Sequence, residues 1–153
     1  MTIDKLTIDF RLQTTDFRLV TVMDTIELIE TIVDRAKIVR AHFVPGYEEK
    51  VYKNALYIEL VEAGLSVETE VPFNVSYKGH VIGSYKADMI VEKKVIVELK
   101  AITTLSPVNE VQLVNYLAAT GIDDGILLNF GSERIQIRHR TRLYCPKAVI
   151  TDI

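Results

Sequence analysis

Tyr85-Lys86-Ala87-Asp88-Met89-Ile90-Val91-Glu92-Lys93-Lys94-Val95-Ile96-Val97-Glu98-Leu99-Lys100 decides the fold. Two runs rich in β-branched and apolar residues flank a polar Glu92-Lys93-Lys94 turn, which is the pattern of a hairpin. With those three residues as the loop, Val91 faces Val95 and Asp88 faces Glu98. Side chains alternate faces along a strand, so Asp88, Glu98 and Lys100 then share one face. Directly opposed Cβ atoms lie about 4.5–5.5 Å apart, and two carboxylates at that spacing can hold one hard divalent cation. Val95, Ile96, Val97 and Leu99 read as a strand buried on both faces. Burying Glu98 and Lys100 among them is expensive unless they are paired or bind metal. The competing reading is an exposed hairpin carrying ordinary charges.

Outward from this hairpin the chain alternates between two periods. Val67, Thr69, Val71, Phe73, Val75 and Tyr77 predict a strand, and Pro72 within it predicts an edge strand or a bulge. Lys78-Gly79 predicts the turn into the next strand, 81–91. Upstream, Ile26, Ile29, Val33 and Ala36 recur at helical spacing from an Asp24 N-cap to about His42. Pro45-Gly46 breaks that helix, and a second runs from about Tyr47 to Ala63 with Gly64 as its stop. Downstream, Ser106-Pro107 opens a third helix that closes at Gly121. A short buried strand at Ile126-Leu127-Leu128 and a final alternating strand over 135–140 complete the order. Helix, helix, three antiparallel strands, helix and two strands predict an α/β fold, a mixed β-sheet flanked by helices.

Residues 1–21 stand apart. Leu6, Ile8, Phe10 and Leu12 alternate with polar residues, and Asp-Phe-Arg-Leu occurs at 9–12 and 16–19. They are expected to be an N-terminal extension, as an arm, an accessory hairpin or a disordered leader, ahead of a domain over 22–153. Met23 is also a candidate internal start. The 153 residues are enough for a sizeable core, and 48% hydrophobic with 25% charged residues is ordinary for a globular protein. No apolar run reaches the roughly 18 residues that span a bilayer. Cys145 is alone, which excludes a disulfide framework and a cysteine zinc site, and a cytoplasmic location is the default expectation. A net charge of −3 neither advertises nor excludes a nucleic-acid partner, because a local basic surface suffices and a metal neutralises acidic ligands.

Other side chains carry candidate chemistry beside ordinary alternatives. Glu49 on the second helix is either a site carboxylate or a helix-start glutamate favoured by the dipole. Tyr52 lies one turn on and is expected to share its face, as a packing residue or a partner to the site. Gln112 and Tyr116 are four apart on the third helix, where they either serve the site or form an amphipathic boundary. Arg134, Arg138, Arg140 and Arg142 alternate along the last strand, where they either neutralise phosphates or form a solvated face. His42, His80 and His139 are scattered without metal-ligand spacing.

Gly46-Tyr47-Glu48-Glu49-Lys50-Val51-Tyr52 fits Gly-x-x-Glu-x-x-Tyr, and the chain resembles the GxxExxY proteins over roughly 24–144. The likeness continues through Asp88, the Val-Glu-Leu-Lys-Ala run at 97–101 and Leu128-Asn129-Phe130-Gly131. It implies membership of the PD-(D/E)XK nuclease superfamily, with a restriction-endonuclease-like α-β-β-β-α-β core. Gln112-Leu113-Val114-Asn115-Tyr116 is similar to the Gln-x-x-x-Tyr motif of the RecB-type branch. Departures are Ala87 in place of the proline before the aspartate, and Arg40 where relatives often have histidine.

The resemblance implies a Mg²⁺- or Mn²⁺-dependent nuclease acting on nucleic acid, DNA in particular, without a membrane. Asp88 and Glu98 would be metal ligands together with the Leu99 carbonyl, and Lys100 would orient the attacking water. Glu49 and Gln112 would complete the catalytic set, and Tyr116, Tyr52, Arg138 and Arg140 would meet substrate. Two rivals remain open. One is a non-catalytic nucleic-acid-binding or regulatory module that keeps the fold. The other is a structural subunit, in a homo-oligomer or with a partner, whose 1–21 arm pairs with a sheet edge.

Overall fold

A computed structural model describes residues 25–143. The expected arm at 1–21, its boundary and the Asp24 cap lie outside the described residues. The chain divides into two compact units, Met1–Ile32 and Val33–Ile153. Of the first unit only the opening of helix α1, 25–42, is described. Leu28, Ile32, Ala36 and Val39 form the buried stripe of α1, while Ile26 is exposed. The stripe shares Ala36 with the expected one but is rotated away from Ile26, Ile29 and Val33. Both stripes are apolar, so helical periodicity alone does not choose between them.

The second unit continues with α2 (Glu49–Glu62), β1 (Val67–Tyr77), β2 (His80–Val91), β3 (Val95–Lys100), α3 (Pro107–Thr120), β4 (Asp124–Asn129) and β5 (Gln136–Thr141). The strands form one mixed sheet in the order β1-β2-β3-β4-β5. Only β3 and β4 run parallel, joined by the α3 crossover, and the other neighbours are antiparallel. Pro72 is tolerated because β1 is an edge strand, and the ladder shifts register between Val75 and Ser76. Val91 pairs with Val95 across the expected three-residue loop. That loop holds Glu92 and Lys93 at positive φ, 52° and 55°. Reciprocal bonds with Ser66 secure Glu92, through its backbone N–H and its side-chain oxygen, each at 2.8 Å.

Helix α3 starts where Ser106 and Pro107 predict it, with Asn109 Oδ1 accepting the Ser106 N–H at 2.9 Å, and it stops at Gly121 in the left-handed conformation. Its Leu113, Tyr116 and Leu117 pack on Ile90, Ile96 and Leu127 of the sheet. Strand alternation turns Met89, Val97 and Leu99 the other way, and all three are buried. Strands β3 and β4 thus have apolar cover on both faces, as a near-continuous apolar run requires. Among the described residues no helix is long and apolar enough to cross a membrane.

Candidate active site

The β2–β3 ladder runs through Val91↔Val95, Ile90↔Ile96 and Met89↔Val97, then stops. At the next step, where Asp88 and Glu98 meet, side chains replace backbone pairing. Glu98 Oε1 accepts the Asp88 N–H at 3.0 Å, and Asp88 Oδ2 accepts the Leu99 N–H at 2.9 Å. Backbone donors at the end of the ladder must find acceptors, and the two carboxylates supply them. They are thereby fixed beside each other rather than left to rotate.

Electrostatics follow from this crowding. Burial, then the neighbouring Asp88 charge, pushes the Glu98 carboxyl up to about 8, and a hydrogen bond between the two side chains helps to hold the proton. Glu98 is only 5% exposed. Two carboxyl groups in a partly dry site cannot both ionise cheaply without a cation. Among the described residues no group of three or more acidic, histidine or cysteine side chains could hold a metal. The oxygen donors that the junction brings together are the Asp88 and Glu98 carboxylates, and a cation there would take further ligands from backbone oxygen and water. That composition fits Mg²⁺, which keeps several waters.

Helix α2 brings its first turns to Asp88. Burial, followed by the charge of Asp88, raises the Glu49 pKa, while Lys100 and Lys53 oppose the rise. Lys53 Nζ lies 3.6 Å from Asp88 Oδ1 and also bonds Glu70. Burial would lower the Lys53 pKa, but the Glu70 bond and the charges of Asp88, Glu70 and Glu49 outweigh it and raise it. Glu70 has φ 52°, and ladder pairing skips from Thr69↔Met89 to Val71↔Ala87 on either side of it. Sequence reasoning missed Lys53 and Glu70. The spacing of four between Glu49 and Lys53 was a usable signal for the lysine, whereas a left-handed glutamate inside a strand leaves none.

From the other helix, Gln112 Nε2 donates to the Tyr116 hydroxyl at 3.1 Å. Tyr116 packs with Ala87 and Ile90, on either side of Asp88 along β2, and burial and then the Glu98 charge raise its pKa. Its ring packs edge-on to Phe73 at 4.8 Å and lies 5.7 Å from Tyr85.

Of its two expected roles, Tyr52 takes the packing one. It is fully buried, donates its hydroxyl to the Val44 carbonyl at 2.7 Å, and stacks on Phe130 at 5.0 Å. It pins the α1–α2 connection to the core. Arg138 and Arg140 converge on Glu110 of α3, at 3.4 and 2.7 Å, and Arg142 meets Asp123 at 2.9 Å. Glu110 lowers the net positive charge that β5 offers to phosphate. Arg134 precedes β5 instead of extending its face. His139 bonds Asp124 at 2.8 Å. Arg40 donates to the carbonyls of Ser132 and Glu133, tying α1 to the loop after β4.

Asn129 explains why the Leu128-Asn129-Phe130-Gly131 run sits beside the site. Its buried amide bonds the Ile102 N–H and carbonyl at 3.0 and 2.9 Å, and so holds the turn that follows Lys100. A Cβ on Gly131 would come within 2.5 Å of the Ala101–Ile102 backbone, so only glycine fits there.

A sequence profile of the PD-(D/E)XK nuclease superfamily matches residues 26–141. The chain belongs to that superfamily. The mixed five-stranded sheet with flanking helices is its restriction-endonuclease-like fold. The crystal structure of SSO0001 aligns at 23% identity and a TM-score of 0.49, over 60% of this chain and 48% of that one. This chain thus spans about half the length of that protein. No curated protein matches the sequence.

Proposed function

We propose that this superfamily member is a Mg²⁺- or Mn²⁺-dependent phosphodiesterase that hydrolyses nucleic acid, DNA in particular, and that it is of the GxxExxY type with a RecB-like Gln112–Tyr116 pair. The observation that carries the reading is the junction at which Asp88 and Glu98 end the β2–β3 ladder beside Lys100. Asp88 and Glu98 would hold the metal, with the Leu99 carbonyl as a further ligand. A bound metal would supply Lewis acidity and lower the pKa of its water.

The chain's own groups do the rest. Lys100 orients the attacking water and offsets negative charge as the phosphate reaches its transition state. Glu49 and Gln112 accept or donate hydrogen bonds to the waters around the site. Asn129 and Gly131 fix the backbone after Lys100, which keeps its ammonium in place. Lys53 of α2, held by Glu70 of β1, offsets the charge of Asp88.

The test is a cleavage assay on linear, circular and single-stranded substrates, with and without Mg²⁺ or Mn²⁺. Lys100→Ala is expected to lower the cleavage rate about 10²–10³-fold, as for loss of a group that stabilises transition-state charge. Metal affinity should stay level or rise, because a positive charge beside the cation is gone. A Lys100→Ala protein that cuts at the native rate contradicts the assignment. Absence of metal-dependent cleavage on every substrate favours the non-catalytic module.

A further inference from the structure

A groove of about 950 Å³ runs between the β1–β2 hairpin and α3. Its polar lining is Asn74, Ser76, Tyr85, Gln112, Asn115 and Tyr116, and the remainder is valine and alanine. It contains no lysine, arginine, aspartate or glutamate. Tyr116 lines the groove, takes a hydrogen bond from Gln112, and packs in the cluster that includes Ala87 and Ile90, which stand on either side of Asp88 along β2.

A phosphate-binding channel needs cations or convergent backbone N–H groups, and this wall presents carboxamides, hydroxyls and aromatic rings. Those are the groups that read and stack an unpaired base. Tyr85 is 46% exposed and stacks on Phe73 at 5.9 Å, which offers a supported ring to a base. Asn115 is exposed on α3, and its carboxamide has no hydrogen-bond partner among the described residues. Bases in a continuous duplex are stacked and paired, so one can enter a groove only after it has left the stack.

We propose that this groove receives an unpaired nucleobase next to the scissile phosphate, making a single strand or frayed end the preferred substrate over continuous duplex. The position of the phosphate rests on the phosphodiesterase reading above. The groove's own chemistry does not.

The test measures binding to the full chain in EDTA, where metal-dependent cutting is off. The probes are 2-aminopurine-containing single-stranded DNA, the same sequence as single-stranded RNA, and the blunt duplex. Single strands should bind about tenfold more tightly than duplex, with quenched emission. Asn115→Ala, and Ala119→Trp at an exposed position that fills the groove, should each weaken single-strand binding about tenfold. The DNA and RNA arms tell which strand supplies the base. Duplex binding as tight as single-strand binding, or native affinity in both variants, overturns the proposal. Cleavage with Mn²⁺ is scored separately. A protein that cuts, with both variants binding like the native chain, keeps the phosphodiesterase reading and loses the groove. One whose quenching disappears in the variants but which cuts nothing keeps the groove and loses the phosphodiesterase reading.

Discussion

Residues 89–91 of β2 pair with both β1 and β3 and are buried, whereas residues 80–86 of the same strand pair with β1 alone and are largely exposed. The first stretch is sheet core. The second is a hairpin that carries exposed Val81, Ile82 and Tyr85 past the end of β3 pairing. Asp88 sits at the change between them. A strand that loses a neighbour must satisfy its backbone donors in another way, and here carboxylates do so. The carboxylate pair is thus made by the end of a ladder, where acidic groups are held in register by the buried core that precedes them.

The contrast can be broken first at the buried half. Ile96→Ala removes a fully buried side chain from the cluster under α3 and should destabilise the fold by about 2–5 kcal/mol in denaturant titration. A loss below about 1 kcal/mol would mean that this half is not the core described.

At the junction the effect depends on pH. An ordinary glutamate titrates near 4.5, while the folded Glu98 holds its proton to about 8. Between those values the folded state binds more protons than the unfolded one, so this group removes stability as pH rises. Glu98→Gln keeps an acceptor for the Asp88 N–H but cannot ionise. In the absence of metal it should gain on the native chain from pH 5 to pH 8, reaching on the order of a few kcal/mol. A difference between the two proteins that does not change with pH contradicts the shift.

The hairpin half should respond least. Ile82 is 65% exposed, and Ile82→Ser should change stability by no more than about 0.5 kcal/mol. A cost comparable to that of Ile96→Ala would erase the distinction between the two halves.

Local signals made much of this fold legible in the sequence. The polar Glu92-Lys93-Lys94 turn placed Val91 opposite Val95 and so brought Asp88 to Glu98. Pro72 marked the edge strand, and Ser106-Pro107 with Gly121 bounded α3. What stayed hidden depends on direction and on distant partners. On a helix Tyr52 lies about 60° from Glu49 on one side and Lys53 about 40° on the other, which is enough to send Tyr52 into the core and Lys53 to Asp88. The alternating arginines of β5 looked open because Glu110, on another element, is distant in the chain. The groove was equally invisible, since it forms only where the hairpin stands over α3.

Calorimetric titration of Mn²⁺ into the full chain at pH 8 tests the central claim most directly. The account predicts that the native protein binds the ion and releases protons, because Glu98 must ionise to ligate it. Affinity should fall as pH is lowered from 8 toward 5. The Asp88→Asn, Glu98→Gln double variant should give no binding heat while remaining folded. Unchanged Mn²⁺ affinity in that variant would contradict the site at the end of the β2–β3 ladder.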